Sequence, residues 1–330
     1  MESNGGLDPA QSSGKGTPLI VESAPAICAI VYDAVDVLLD LPMAGVITVN
    51  NITTPVIELA SFCSNDWMAD TQIDFTLDVL AHDMDHFCPD SQFGILRLPC
   101  TNKLIQLSNL RDTDAATYPS NAKPTRFIRK IGDDLVSKRL TSVGGIFHIN
   151  SNHWVVAVAD VESRKIYYGD SMAADQSPEQ VGRCMVPQVL KWWLERHGFF
   201  DMSFATMEVC SQTDDFSCGI MSFMALAHYC LPQRYSLPHP LYAGVARVDL
   251  LRRIISLHLA TSSDFEDSEL AMFSTSPTLD PESTIPRPST PLPSESMRQL
   301  QLDFSAHLSV SPMKPGRKRS RREEATSGQA

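Results

Sequence analysis

Four side chains in this sequence have the types and the order that thiol chemistry needs: His153, Asp170, Gln212 and Cys218. Cys218 stands where a polar, turn-rich hexad meets an apolar run. In that run Ile220, Met221, Phe223, Met224, Leu226, Ala227 and Tyr229 leave almost no polar face, so a helix there would be buried. A helix that begins at Cys218 aims its unpaired N–H groups and positive dipole end at a thiol, which favours the nucleophilic thiolate. A single cysteine is more often an inert core residue, so this reading depends on a base and an orienting partner elsewhere.

A hairpin supplies both. His153 to Ala159 and Arg164 to Gly169 read as strands, joined by a four-residue loop, Asp160 to Ser163. That loop pairs Ala159 with Arg164 and, counted outward, His153 with Asp170. Directly opposed residues have Cβ atoms about 4.5–5.5 Å apart, within reach of an imidazole–carboxylate hydrogen bond. The carboxylate would fix the ring tautomer and stabilise the imidazolium, while the ring takes the thiol proton. Gln212, six residues before Cys218, is placed to donate an amide N–H to a developing oxyanion, together with the Cys218 backbone N–H. Singly, His153 is a core histidine and Asp170 a strand-end turn residue; with Cys218 and Gln212 they form a catalytic set.

The elements that must position these groups follow from pattern. Residues 1–25 are rich in Gly, Ser and Pro and read as a disordered leader. Ile27 to Leu41 is apolar and of ambiguous type, and Asn51 to Ser61 reads as extended. From Asp70, Ile73, Leu77, Val79 and Leu80 recur at helical spacing, with Asp70 or Thr71 as N-cap. Ile131 to Leu140 predicts a short helix. Val143 to Ile149 predicts a strand beside the one after His153, whose two apolar faces make it central. Ser177-Pro178-Glu179-Gln180 is a capping box opening a helix that carries Val181 to Trp193 and stops at Gly198. Ser203 to Val209 predicts a last strand. Leu241 to Leu259 predicts an amphipathic helix with Arg247, Arg252 and Arg253 on its outer side.

Composition narrows the classes. A net charge of −12 argues against general binding to nucleic acid or anionic membrane, and no apolar run is long enough to span a bilayer. Eight cysteines without regular spacing read as reduced thiols of a nuclear or cytoplasmic protein. His82, His86 and Cys88 have zinc-ligand types, but Cys100 is only a loose fourth candidate, so no metal or cofactor is expected. Beyond Ala260 the chain turns rich in Ser, Thr and Pro, and residues 261–330 read as a disordered tail. It ends in the basic cluster Lys314 to Arg322, of the kind import receptors read. The folded domain is therefore expected over 26–260.

Four motifs carry a resemblance. Asn152-His153-Trp154, Tyr167-Tyr168-Gly169-Asp170-Ser171-Met172, Gln212 with Cys218-Gly219, and Asp66-Trp67-Met68-Ala69-Asp70-Thr71-Gln72-Ile73 resemble blocks of the Ulp/SENP family of SUMO-specific cysteine proteases. The order His, Asp, Gln, Cys is also that family's and reverses the order in papain-like enzymes, where Cys comes first. The resemblance implies an α+β, papain-like fold of Ulp/adenain type, with a central mixed or antiparallel sheet and the nucleophile at the N-terminus of a buried helix. It implies hydrolysis after the C-terminal Gly-Gly of SUMO or a related ubiquitin-like modifier. His153 is then the base, Asp170 its partner, Cys218 the nucleophile and Gln212 the oxyanion donor. Trp67 and Trp154 match the two indoles that cover the di-glycine tunnel. Asp214-Asp215, Phe216 and Ser217 depart from the family pattern, and the two extra carboxylates oppose a thiolate. Two alternatives share the scaffold: a Cys-dependent acetyltransferase, and a mobile-element-derived domain that mainly binds a modifier.

Overall fold

The structure is a computed structural model, and it describes residues 24–39, 41, 44–49, 52–109, 118 and 125–273, with side chains of 24–27 and 261–273 left aside. The expected leader, tail and basic cluster fall almost wholly outside these residues.

A five-stranded sheet organises the chain. It comprises β3 (Phe93–Leu96), β4 (Ser142–Ile149), β5 (His153–Asp160), β6 (Lys165–Gly169) and β7 (Ser203–Thr206), in that spatial order. The two edge pairs, β3–β4 and β6–β7, are parallel, and the inner pairs are antiparallel, so the sheet is mixed. Strand β5 is central, and all its residues but Asp160 are buried, as its unbroken apolar run requires.

Alternation along β5 splits the core in two. Trp154, Val156 and Val158 face the helix α7 (Cys218–Cys230), where Ile220, Phe223 and Leu226 pack on them. Val155, Ala157 and Ala159 face α3 (Leu98–Asn109) and α6 (Met185–Glu195), packing with Leu104, Leu190 and Trp193. Cutting Leu226 or Leu190 to alanine would cost about 2–5 kcal/mol. Helix α2 (Asp70–Phe87) and the long α8 (Ala243–Phe273) complete the α7 side, and α1 (Ala24–Leu39) packs along α8. Ile27 to Leu41 is thus largely helical.

Several expectations change in detail. Asn51 to Ser61 is extended only in a small hairpin of β1 (Val46–Val49) and β2 (Ile52–Pro55), then winds into 3-10 turns over Val56–Cys63 that bury Leu59 and Phe62. Helix α4 covers Arg126–Val136, earlier than its pattern suggests. The capping box at Ser177 forms, but its helix α5 (Pro178–Val181) stops at Gly182, and α6 restarts at Met185. A Cβ on Gly182 would lie 2.8 Å from the Phe204 ring, so the break lets β7 approach. Arg252 pairs with Asp249 along α8, but Arg253, which also pairs with Asp249, reaches the buried Asp83 of α2 and lies over the Tyr235 ring, and Arg247 is buried, contrary to the outer placement their charge suggests. No helix among the described residues is long and apolar enough to cross a membrane.

Candidate active site

The four predicted groups all sit at ends of elements. His153 opens β5 after a three-residue turn in which Asn150 and Ser151 take positive φ angles of 54° and 59°. Asn tolerates that region because its short amide can bond locally, so this turn is written into the sequence. Asp170 follows the last residue of β6, and Cys218 is the first residue of α7.

His153 and Asp170 meet, though not by the expected register. The loop is Val161 to Arg164, with Asp160 pairing Lys165 and Val156 pairing Gly169. On that register the two residues are diagonal neighbours rather than directly opposed. They still share a face, and His153 Nε2 lies 2.8 Å from Asp170 Oδ1. Asp170 Oδ1 also accepts from the Met172 backbone N–H at 2.9 Å, which holds the carboxylate in place.

That bond assigns Nε2–H to the carboxylate and leaves Nδ1 for the thiol. Nδ1 is buried and has no hydrogen-bond partner among the described residues, and the Cys218 thiol is near enough to act on the ring. Burial at 7% exposure pulls the ring toward its neutral form, but the Asp170 bond and charge and the thiol outweigh it, raising His153 to about 9. Asp170 is lowered in turn: burial raises it, and the bond to His153 overcomes that. The arrangement favours an imidazolium between a carboxylate and a sulfur.

Two ties fix Cys218 against this pair. Ser222, one turn further along α7 and fully buried, donates its hydroxyl to the Trp154 carbonyl at 3.0 Å, joining the nucleophile helix to the base's own strand. Asp214 accepts from the backbone N–H groups of Phe216 and Ser217 at 2.9 and 2.7 Å and from the Ser217 hydroxyl at 2.7 Å. The carboxylate that departs from the family pattern therefore closes the turn that precedes α7, whose own N-cap, Ser217, makes no side-chain cap bond.

Gln212 is held in the same way. Its backbone N–H donates to the Ser171 carbonyl at 2.9 Å, and its Oε1 accepts from the Ser171 hydroxyl at 2.5 Å. Its Nε2 donates one N–H to the Asp214 carbonyl at 2.7 Å, leaving a second N–H for a ligand. An open groove runs beside it, lined by Ser171 to Gln176, Gln180 and Ser211. Ser171 and Ser222 went unnoticed in the sequence as positioning groups, because a serine carries no mark of its partner.

The two indoles separate. Trp67 is 43% exposed, on the segment leading into α2. Trp154 does not line an open groove: it is 2% exposed, stacks on His148 at 4.2 Å and donates its N–H to the Met68 carbonyl at 3.0 Å. A buried indole N–H needs an acceptor, and this one finds it in the segment that carries Trp67. Gly219 lets that segment close on α7, since a Cβ there would lie 3.1 Å from the Met68 Cβ. His82 and His86 stay at the exposed end of α2, where His86 meets Phe87 edge-on.

Comparison with known proteins adds the following. The family model described as Ulp1 protease family, C-terminal catalytic domain, matches residues 66–238 of the 330. Among solved structures, the SUMO protease Ulp1 with its catalytic cysteine oxidised to a sulfenic acid is 14% identical, with a TM-score of 0.49 over 72% of this chain and 97% of that one. The Ulp1 protease domain in complex with Smt3, the yeast ortholog of SUMO, is 14% identical, with a TM-score of 0.49 over 68% and 93%. The Xanthomonas campestris effector XopD bound to ubiquitin is 19% identical, with a TM-score of 0.37 over 58% and 91%. No curated protein matches the chain.

Proposed function

The chain belongs to the Ulp1 protease family, and from that premise we propose that it hydrolyses the bond after the C-terminal Gly-Gly of SUMO or a related ubiquitin-like modifier. The observation that carries this reading is His153 held between Asp170 at 2.8 Å and the buried thiol at the start of α7. The Cys218 sulfur attacks the carbonyl carbon of the last glycine, and the carbonyl electrons move to oxygen. The free Gln212 N–H and the Cys218 backbone N–H receive that oxyanion. As the C–N bond breaks, His153 gives a proton to the departing amine, which is a lysine side chain in a conjugate or a peptide nitrogen in a precursor. Water then hydrolyses the thioester, with His153 taking its proton.

Exposed Trp67 is the aromatic surface offered to the arriving tail, and Trp154 supports it from below through Met68. A tail without Cβ atoms passes closest to such a surface. The basic cluster Lys314 to Arg322 is the candidate nuclear import signal. The test is a panel of ubiquitin, SUMO and NEDD-type proteins carrying C-terminal electrophiles. The expected result is covalent labelling by one of them, most strongly the SUMO type, and its loss in Cys218→Ala. No labelling by any member, with wild-type protein folded by circular dichroism, overturns the modifier reading.

A further inference from the structure

The groove beside Gln212 has no part in the chemistry described so far. It opens between the stretch that follows β6 and Ser211, before the turn into α7, and two short side chains, Ala173 and Ala174, help to leave it open. Asp175, Gln176 and Gln180 bring polar groups to it, and none of its lining residues is basic. Gln176 Oε1 accepts from the Cys184 thiol at 3.9 Å, and Gln180 Oε1 accepts from the Ser177 backbone N–H at 2.7 Å. The N–H donors of both amides are left without a partner among the described residues. The exposed Asp175 carboxylate has no ion-pair partner among them either.

The place of this groove relative to the reacting bond identifies its occupant. Two approaches meet at Cys218 and Gln212. On one side is the segment of Trp67, whose Met68 packs on the nucleophile helix at Gly219 and accepts from Trp154 of β5, itself stacked on His148 of β4. On the other is the groove, at the β6 and β7 side of β5. Ser171 ties it to the site, since its hydroxyl donates to the Gln212 amide oxygen and its carbonyl accepts from the Gln212 backbone N–H. A tail that arrives past Trp67 keeps the modifier on the first side, so the departing amine lies toward the second.

We propose that this groove is the leaving-group subsite, holding the stretch of target protein that carries the conjugated lysine and favouring a lysine or arginine beside it. The inference rests on the modifier reading. The arm of the conjugated lysine sets the target's main chain back from the scissile bond, over an open groove rather than inside the catalytic slot. The unused N–H donors of Gln176 and Gln180 suit the carbonyls of an extended chain. The unpaired Asp175 carboxylate suits a cation, and at an exposed site such a pair selects among targets more than it binds them tightly.

The experiment uses the full chain and a SUMO-type modifier in three forms. One carries a C-terminal aminomethylcoumarin, and the other two are isopeptides joined to the lysine of a short peptide flanked by arginines or by glutamates. The coumarin form has no target segment, so it reports the modifier and the chemistry alone, and the peptide rates are read relative to it. Wild type is expected to cleave the arginine peptide with a kcat/KM about twofold to fivefold above the glutamate peptide, a difference that shrinks at high salt. Asp175→Asn is expected to level the two peptides and Asp175→Lys to reverse their order. Equal cleavage of both peptides by wild type, or a preference that both variants leave in place, overturns the inference while the modifier reading stands. A fall in coumarin turnover as large as the fall on the arginine peptide in Asp175→Lys places the groove under the modifier itself and also overturns it. A wild-type protein that cleaves none of the three removes the SUMO reading and this one with it.

Discussion

Replacing Asp170 with asparagine tests whether the His153 pair holds charge as well as geometry. The ring rises from 6.5 to about 9 because Asp170 and Cys218 outweigh its burial. A group whose affinity for its proton is raised by folding adds stability that is fully present below the unfolded value of 6.5. That stability is lost as pH climbs through the folded value of about 9. Integrated over that window, the His153 contribution falls by about 3 kcal/mol between pH 6 and pH 9. Since the ring is nearly buried, solvent screening removes little of this. Asparagine keeps the shape and an acceptor oxygen but not the charge, so most of this pH dependence should vanish. The assay is urea unfolding in reducing buffer at pH 6, 7.5 and 9 for wild type and variant; taking the difference between them cancels the other thiols and tyrosines. The same substitution should cost roughly 10²–10⁴-fold in turnover. A variant with the wild-type slope of stability against pH would refute the charged pair, whatever its activity.

Three further outcomes follow from the same geometry. Gln212→Ala should lower kcat by about 10²–10³-fold with little change in KM, read by steady-state kinetics with circular dichroism as the folding control, because it removes the N–H offered to the oxyanion together with the amide's bonds to Ser171 and Asp214. Ser222→Ala should cost about 1–3 kcal/mol by urea unfolding, since it removes the hydroxyl that donates to the buried Trp154 carbonyl. Removing residues 275–330 should leave turnover of a modifier–fluorophore substrate unchanged and reduce nuclear accumulation of a fluorescent fusion.

What could be seen in the sequence was the set of positions at element ends; what could not was depth. The loop after β5 was placed one residue early, because Asp160 caps it, accepting from the N–H groups of Glu162 and Ser163 at 3.0 Å each, and Arg164 takes a left-handed φ of 55°. Moving a loop by one residue moves the pairing by two, so each side chain keeps its face. That is why Asp170 still found His153. No such parity protects a burial estimate. Arg247 was placed outside because charged residues on an amphipathic helix usually are, yet the 3-10 turns that cover it come from a stretch read as extended. Trp154 was placed at the tunnel by the resemblance, and nothing in its own strand shows that the Met68 segment closes over it.

Asp214 shows how these errors bear on the chemistry. Read as a bare carboxylate near Cys218, it opposes the thiolate. In the structure it accepts from two backbone N–H groups and a hydroxyl at the turn into α7, so it is a satisfied anion and the turn is rigid. Its part is geometric: it shapes the turn that brings Cys218 to the first position of α7, while the charge that faces the thiol is the His153 proton held by Asp170, the one the reaction moves. The departure from the family pattern at Asp214 thus leaves the catalytic pair intact, because its carboxylate spends its acceptors on the turn before the helix.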